Sequence, residues 1–246
     1  MSSLKYQTKA RKLLWSFLYL GARIPSEIIG KLIRYKNNSI LKKNGLIMDV
    51  SSNLIKNRHV FAINFGLYEG GETQSIVKHI DGKLPVIDLG ASIGWTSSII
   101  SNKIRPPLLI SVEADKALLG ICKKNVLKNS KIEKTYFENK IISPNSYNFI
   151  FVKGPTSNDG RLVKSLDGKL NPNICTIQDI MEKYEIEKCD LVMDIEGAEF
   201  LILDSSKPLK GVRKIIIDTD LKHPDGTSFD VKWLCSKLEK NNFSIK

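Results

Sequence analysis

Pro85-Val86-Ile87-Asp88-Leu89-Gly90-Ala91-Ser92-Ile93-Gly94-Trp95-Thr96 decides how this chain is read. Val86 to Leu89 is apolar apart from Asp88 and follows Gly82, Lys83 and Pro85, the setting of a short buried parallel strand. Gly90 and Gly94 come next, and Trp95 to Ser101 begins a helical stretch. In a strand, glycine turn and helix, the glycines let the backbone approach a ligand closely. The first turn of the helix offers it free N–H groups. This order predicts an α/β chain that binds a nucleotide-like ligand.

The spacing narrows the ligand. A dinucleotide site wants G-x-G-x-x-G, whereas this chain has D-x-G-x-x-x-G with a serine at position 92. Leu108 to Glu113 forms a second apolar run, and its closing acid, Glu113, stands 25 residues after Asp88. An acid at the tip of the second strand can hold both hydroxyls of a ribose. Without a pyrophosphate turn, adenosine carrying an amino acid fits better than NAD. At this point the stretch resembles motif I of the class I S-adenosylmethionine-dependent methyltransferases. The resemblance implies an α/β, Rossmann-like fold, a mostly parallel twisted sheet with helices on both faces. It places cofactor contacts at Asp88, Gly90, Ala91, Ser92, Gly94, Trp95, Glu113 and Ala114. Another doubly wound fold with an unrelated ligand stays open.

Further acids follow along the chain. Tyr68, Glu69 and Glu72 precede the glycine strand and are candidates for the cofactor entrance; Glu72 equally suits the first turn of a helix. Lys131 to Phe137 reads as a third strand, whose end would put Glu138 or Asn139 beside the adenine in this fold; a surface role is the alternative. Asp190 to Asp194 and Lys214 to Asp218 read as the fourth and fifth strands. Ligands of open parallel sheets sit outside the carboxyl ends of the strands. Asp194, Glu196 and Asp218 therefore face the acceptor half.

Methyl transfer is mostly positioning. A hydroxyl acceptor also needs a base or a metal for its proton. Asp194 and Glu196 are candidate bases, His223 is an alternative, and Asp194 with Asp218 is a candidate site for a divalent cation such as magnesium. Asp194 is also a candidate cofactor contact. The opposing readings remain open. Glu196 and Glu199 suit a helix's first turn, Asp218 and Asp220 can cap a turn, and a lone loop histidine can be incidental.

Asp190-Leu-Val-Met-Asp194-Ile-Glu196-Gly197-Ala198-Glu199 resembles the K-x-D-x-E-G-A-E signature of FkbM-type methyltransferases. Cys175-Thr-Ile-Gln-Asp-Ile-Met resembles the helix start that precedes it. The likeness runs from about Phe61 to Lys246. It implies methylation of a hydroxyl, commonly on sugars of polysaccharides, glycolipids or natural products. The chain departs from that pattern at Ser92, at Val192-Met193 where the family has a lysine, and at Asp218 where it tends to have a glutamate.

Composition bounds the rest. The chain has 246 residues, 42% of them hydrophobic, and a net charge of +12. Residues 1–60 hold 12 Lys/Arg against two acids, so the remainder is near neutral. That distribution speaks against a nucleic-acid cradle around the glycine motif. Cys122, Cys175, Cys189 and Cys235 match no zinc spacing and read as reduced thiols of a cytoplasmic protein.

Residues 1–45 read as a basic amphipathic helical extension and 46–246 as the methyltransferase domain. The apolar run Leu13 to Ala22 is about half of the roughly 20 residues a spanning helix needs. It suits a helix lying on a membrane surface, which would make the protein membrane-peripheral. A helical cap packed on the domain is the alternative.

Pro25 to Ile33 reads as a short helix, and Leu46 to Val50 and Val60 to Phe65 as strands of a small sheet. Ile141-Ile142 with Asn148 to Val152 reads as a hairpin. Residues 154–172 read as a loop that could act as a substrate lid, and Phe243 to Ile245 as the start of a sixth strand. The functions in competition are a methyltransferase acting on a sugar, a glycan or another small molecule; a nucleic-acid methyltransferase; a non-catalytic binding module; and, distantly, a dehydrogenase. The Asn/Asp-Pro-Pro-aromatic motif of base-amine methylation is missing after the fourth strand.

Overall fold

The computed structural model describes residues 25–144, 149–152, 161–164, 173–195, 198–205, 209–218 and 230–245, with the backbone alone at 149–152 and 161–164. The chain divides into two units between Tyr68 and Glu69.

In the first unit, residues 25–36 form helix α1. Ile40–Lys43 (β1) and Leu46–Asp49 (β2) pair antiparallel across the left-handed turn of Asn44 and Gly45. Asn57–Phe65 is helix α2, not the strand expected over Val60 to Phe65. His59, Val60 and Ile63 are its buried residues, one helical face rather than alternate positions. Gly66, at φ 71°, stops it by donating its N–H back to Ala62 and Ile63. The run of β-branched and aromatic residues suggested a strand, and packing overrode it.

In the second unit, Gly70–His79 (α3) leads to Val86–Leu89 (β3), then to Trp95–Ile99 (α4), extended by a π-helical turn at Ile100–Ile104. Leu109–Val112 (β4), Lys116–Asn129 (α5) and Thr135–Glu138 (β5) complete one half. Beyond lie Ile141–Ile142 (β6), Phe149–Val152 (β7), Arg161–Lys164 (β8) and Ile174–Cys175 (β9). Ile177–Lys183 (α6), Cys189–Met193 (β10), Ala198–Asp204 (α7), Val212–Ile217 (β11) and Val231–Lys240 (α8) follow.

The central sheet runs β11-β10-β3-β4-β5, parallel throughout. Alternate residues face opposite ways. Val86, Leu109 and Val192 pack with residues of α3, the π-helical turn and α5. Ile87, Leu89, Ile110, Leu191 and Met193 pack with α6 and α7. Helices thus cover both faces, as the sequence predicts. Strand order reverses between β3 and β10, which opens a crevice at their carboxyl ends.

Two local expectations fail. β6 pairs parallel with β9, while β7 pairs antiparallel with β8, so the hairpin between Ile141-Ile142 and residues 148–152 does not form. Phe243 to Ile245 forms no strand. The N–H of Phe243 returns to Leu238 O and that of Asn242, at φ 65°, to Glu239 O, so these residues finish the cap of α8. The segments 1–24 and most of 154–172 lie outside the described residues.

Candidate active site

The glycine turn is fixed by its backbone. Gly90, Ser92 and Gly94 have φ of 86°, 45° and 82°. The N–H groups of Gly90 and Ala91 both donate to Val112 O, at 2.9 and 3.0 Å, locking the turn to β4. A Cβ on Gly90 would stand 1.7 Å from Asp194 O, so only glycine lets β3 and β10 meet this closely. Gly94 packs as tightly on α5, where a Cβ would come within 2.9 Å of Cys122.

Glu113 closes β4 beside this turn. Its Oε2 accepts the Ser92 N–H at 2.9 Å and its Oε1 the Asp115 N–H at 2.8 Å. Burial raises the pKa of this carboxyl, and the two N–H donors pull it back. Each oxygen keeps a lone pair for a ligand hydroxyl. Asn139 lies against the same loop but is committed to holding it. Its Nδ2 donates to Glu113 O and Ala114 O, both at 2.9 Å. Glu138 accepts from Lys183 and from the Tyr184 hydroxyl.

Asp88 lies beneath the turn rather than in the crevice, at 2% exposure. Its register partners are Ser111 and Val192. Its carboxylate accepts from the Ser97 hydroxyl, which lies 2.7 Å from Ser111 Oγ. Burial pushes Asp88 up to about 7, against the Ser97 hydrogen bond and with help from Glu113. Trp95 is buried as well and its indole N–H donates to Thr73 Oγ1 at 3.1 Å, joining α4 to α3.

A second acid pair meets α4. Thr96 Oγ1 lies 2.9 Å from Glu69 Oε2 and 2.9 Å from Glu72 Oε2. One hydroxyl carries one proton, so it donates to one carboxylate and must accept from the other. One of the two acids is therefore protonated. Burial, reinforced by Glu69, Asp88 and Asp218, pushes Glu72 up to about 9 and marks it as the neutral member. Tyr68 belongs to the first unit, where its buried ring packs 5.9 Å from that of His59.

Asp194 and Asp218 follow neighbouring strands, and the N–H groups of the two residues donate to Leu89 O and Met193 O at 3.0 and 3.1 Å. Glu199 is buried, and its carboxylate accepts the Ile195 N–H at 2.7 Å, a helix-start role for that acid. Glu196, Asp220 and His223 lie outside the described residues. Among the described residues no group of three His, Cys, Asp or Glu could hold a metal ion, so the Asp194 and Asp218 pair lacks a third protein ligand there.

The sequence reading missed Ser97, Ser111 and Thr96. For Thr96 and Ser97 the signal is the hydroxyl run Thr96-Ser97-Ser98 in a helix whose every residue is buried, since buried hydroxyls need partners. Asn125 is another omission; its Nδ2 supports the turn from α5 by donating to Ile93 O at 2.9 Å.

The residues fit an adenosyl ligand. Among the described residues the enclosed Ser92 Oγ has no hydrogen-bond partner, and Glu113 keeps acceptor capacity beside it. A parallel sheet with a switch-point crevice, a left-handed glycine turn and a second-strand acid fits an S-adenosylmethionine-dependent methyltransferase of the Rossmann-like kind. The family model described as the methyltransferase FkbM domain matches residues 52–245, and the chain belongs to that family.

Among solved structures, the chain is similar to M. jannaschii TYW2 in complex with AdoMet, at 14% identity and a TM-score of 0.40, covering 82% of this chain and 72% of that one. It is also similar to Trm1 from Pyrococcus horikoshii with S-adenosyl-L-methionine, at 14% identity and a TM-score of 0.32, covering 58% of this chain and 32% of that one. No curated protein matches the sequence. Among the described residues no helix is long and apolar enough to cross a membrane.

Proposed function

We propose that this methyltransferase acts on a hydroxyl of a sugar, a glycan or another small molecule, with Asp194 receiving the hydroxyl proton. The observation that carries the reading is the position of Asp194. It follows β10 at the crevice, with its backbone against Gly90. A carboxylate there suits an O–H acceptor. The segment Asp194-Ile-Glu-Gly also differs from the Asn/Asp-Pro-Pro-aromatic motif that base amines require.

When bound, S-adenosylmethionine supplies an electrophilic methyl group on a sulfonium. Glu113 would hold the ribose hydroxyls through its spare lone pairs, and Ser92 Oγ would complete that contact. The first turn of α4 would offer N–H groups to a carboxylate of the ligand. Asp194 would orient the acceptor hydroxyl and take its proton as the methyl group passes from sulfur to oxygen, the methyl–sulfur bond breaking and S-adenosylhomocysteine remaining; Glu196 and His223 are alternative bases. A divalent cation is not needed for this scheme.

The test is methyl transfer to a panel of free sugars, glycans and RNA or DNA oligonucleotides, with wild type and Asp194→Asn. Transfer to a carbohydrate hydroxyl is expected, reduced by about 10²- to 10⁴-fold in the variant while cofactor binding persists. Transfer to nucleic acid alone, or an Asp194→Asn variant as active as wild type, would overturn the reading.

A further inference from the structure

Helix α1 carries its apolar residues on the outside. Ile28, Leu32 and Tyr35 are 57%, 62% and 85% exposed. Their spacing of four and three residues places them on one face. The opposite face is the one that packs. Gly30 is buried so closely on α2 that a Cβ would stand 1.9 Å from Asn57 O. Arg34 donates through Nη1 to Ser52 O at 3.1 Å and through Nη2 to Ile55 O. The helix is thus held to its unit by a glycine and an arginine, and presents isoleucine, leucine and tyrosine to the surroundings. Exposed Lys31 and Lys36 border the apolar stripe on either side.

We infer that this face of α1 docks on an anionic lipid surface. An apolar stripe bordered by lysines suits the interface, where the side chains enter the acyl boundary and the lysine stems reach up to the headgroups. Tyrosine, with an apolar ring and a polar tip, suits the same depth. Charge selects the occupant. Among the described residues, 25–60 hold seven Lys/Arg against Glu27 and Asp49, so a second copy would bring a like-charged unit against the first. Three side chains also fall far short of the roughly 800 Å² per partner of a stable protein interface. Anionic headgroups complement this charge, each cation near the surface strengthening the contact.

The test uses the full chain, wild type and Leu32→Glu/Tyr35→Glu, sedimented with vesicles of phosphatidylcholine alone or mixed equally with phosphatidylglycerol. Wild type is expected to bind the mixed vesicles, to lose binding as salt rises, and to leave the neutral vesicles in solution. The double variant is expected to bind at least about tenfold less with an unchanged melting temperature, because both side chains are exposed. Wild type that ignores the mixed vesicles, or a double variant that binds them equally, would overturn the proposal. So would a concentration-dependent dimer in light scattering that the variant abolishes, since a second copy would then own the face. A variant that melts lower while still binding vesicles would assign the stripe to packing within the chain and overturn it too. Lys31→Glu/Lys36→Glu repeats the measurement without touching an apolar residue.

Discussion

The N–H of Ser92 donates to Glu113 Oε2 across 2.9 Å and couples the glycine turn directly to the acid that closes β4. Replacing Glu113 removes two things at once, the brace of Ser92 and Asp115 and the acceptor offered to a ribose. Glu113→Ala is expected to weaken S-adenosylhomocysteine binding by about 10- to 100-fold, the range of hydrogen bonds to a charged group. Calorimetric titration of wild type and variant checks this, with NAD as a ligand that binds neither. An unchanged affinity would remove Glu113 from the cofactor site.

Gly90 and Gly120 make opposite predictions from the same substitution. Gly90→Ala puts a Cβ into Asp194 O at φ 86° and is expected to cost at least about 2 kcal/mol. Gly120→Ala lies in α5 with nothing within 4 Å of the new carbon, and is expected to stabilise by about 0.5–1 kcal/mol. Urea unfolding of both variants measures the contrast.

Stability should fall as pH rises through the range of the two buried acids. Glu72 moves from an ordinary 4.5 up to about 9 and Asp88 from 3.8 up to about 7. A raised carboxyl binds its proton more tightly in the folded state. Its contribution is complete below the unfolded pKa and is lost as pH passes the folded one. Melting temperature is therefore expected to decline from about pH 5 to pH 9, and less steeply in Glu72→Gln, whose amide can still donate to Thr96. Parallel slopes for wild type and variant would refute the shared proton.

The β10–β11 edge holds a charge pair with a fully enclosed member. Arg213 donates to both oxygens of Asp190, at 2.9 and 2.6 Å, and Asp190 has 0% side-chain exposure. Arg213→Ala leaves that carboxylate buried and unpaired, at an expected cost of about 3–5 kcal/mol. Asp81, which Arg213 also contacts, is exposed, and its replacement by alanine should cost far less. Chemical denaturation separates the two.

The central architecture was legible because its signals are local. Short apolar runs ending in acids mark buried parallel strands, and the glycine spacing marks a turn that other residues cannot follow. The misreadings came where two local signals competed. Residues 57–65 satisfy both a strand composition and a helical period, and the burial of Val60 and Ile63 on one face decided for helix. Phe243 to Ile245 looks like a strand start, yet Asn242 in a left-handed conformation uses Phe243 to close α8.

By itself the sequence determined a parallel α/β core, the position of the glycine turn and the order of acids at the strand ends. Those follow from periodicity and backbone sterics, which act over a few residues. Tertiary structure decided what each acid does. Asp88 turns onto the helix face and meets Ser97, which also reaches Ser111; Glu69 and Glu72 meet at one hydroxyl of Thr96; and Asn139 spends its amide on the loop after β4. It also decided that α1 packs through Gly30 and Arg34 and leaves its apolar stripe outside. Except for the nine-residue step from Asp88 to Ser97, these contacts join residues 14 to 27 positions apart. Which of them form depends on how sheet and helices stack, and no local pattern carries that information.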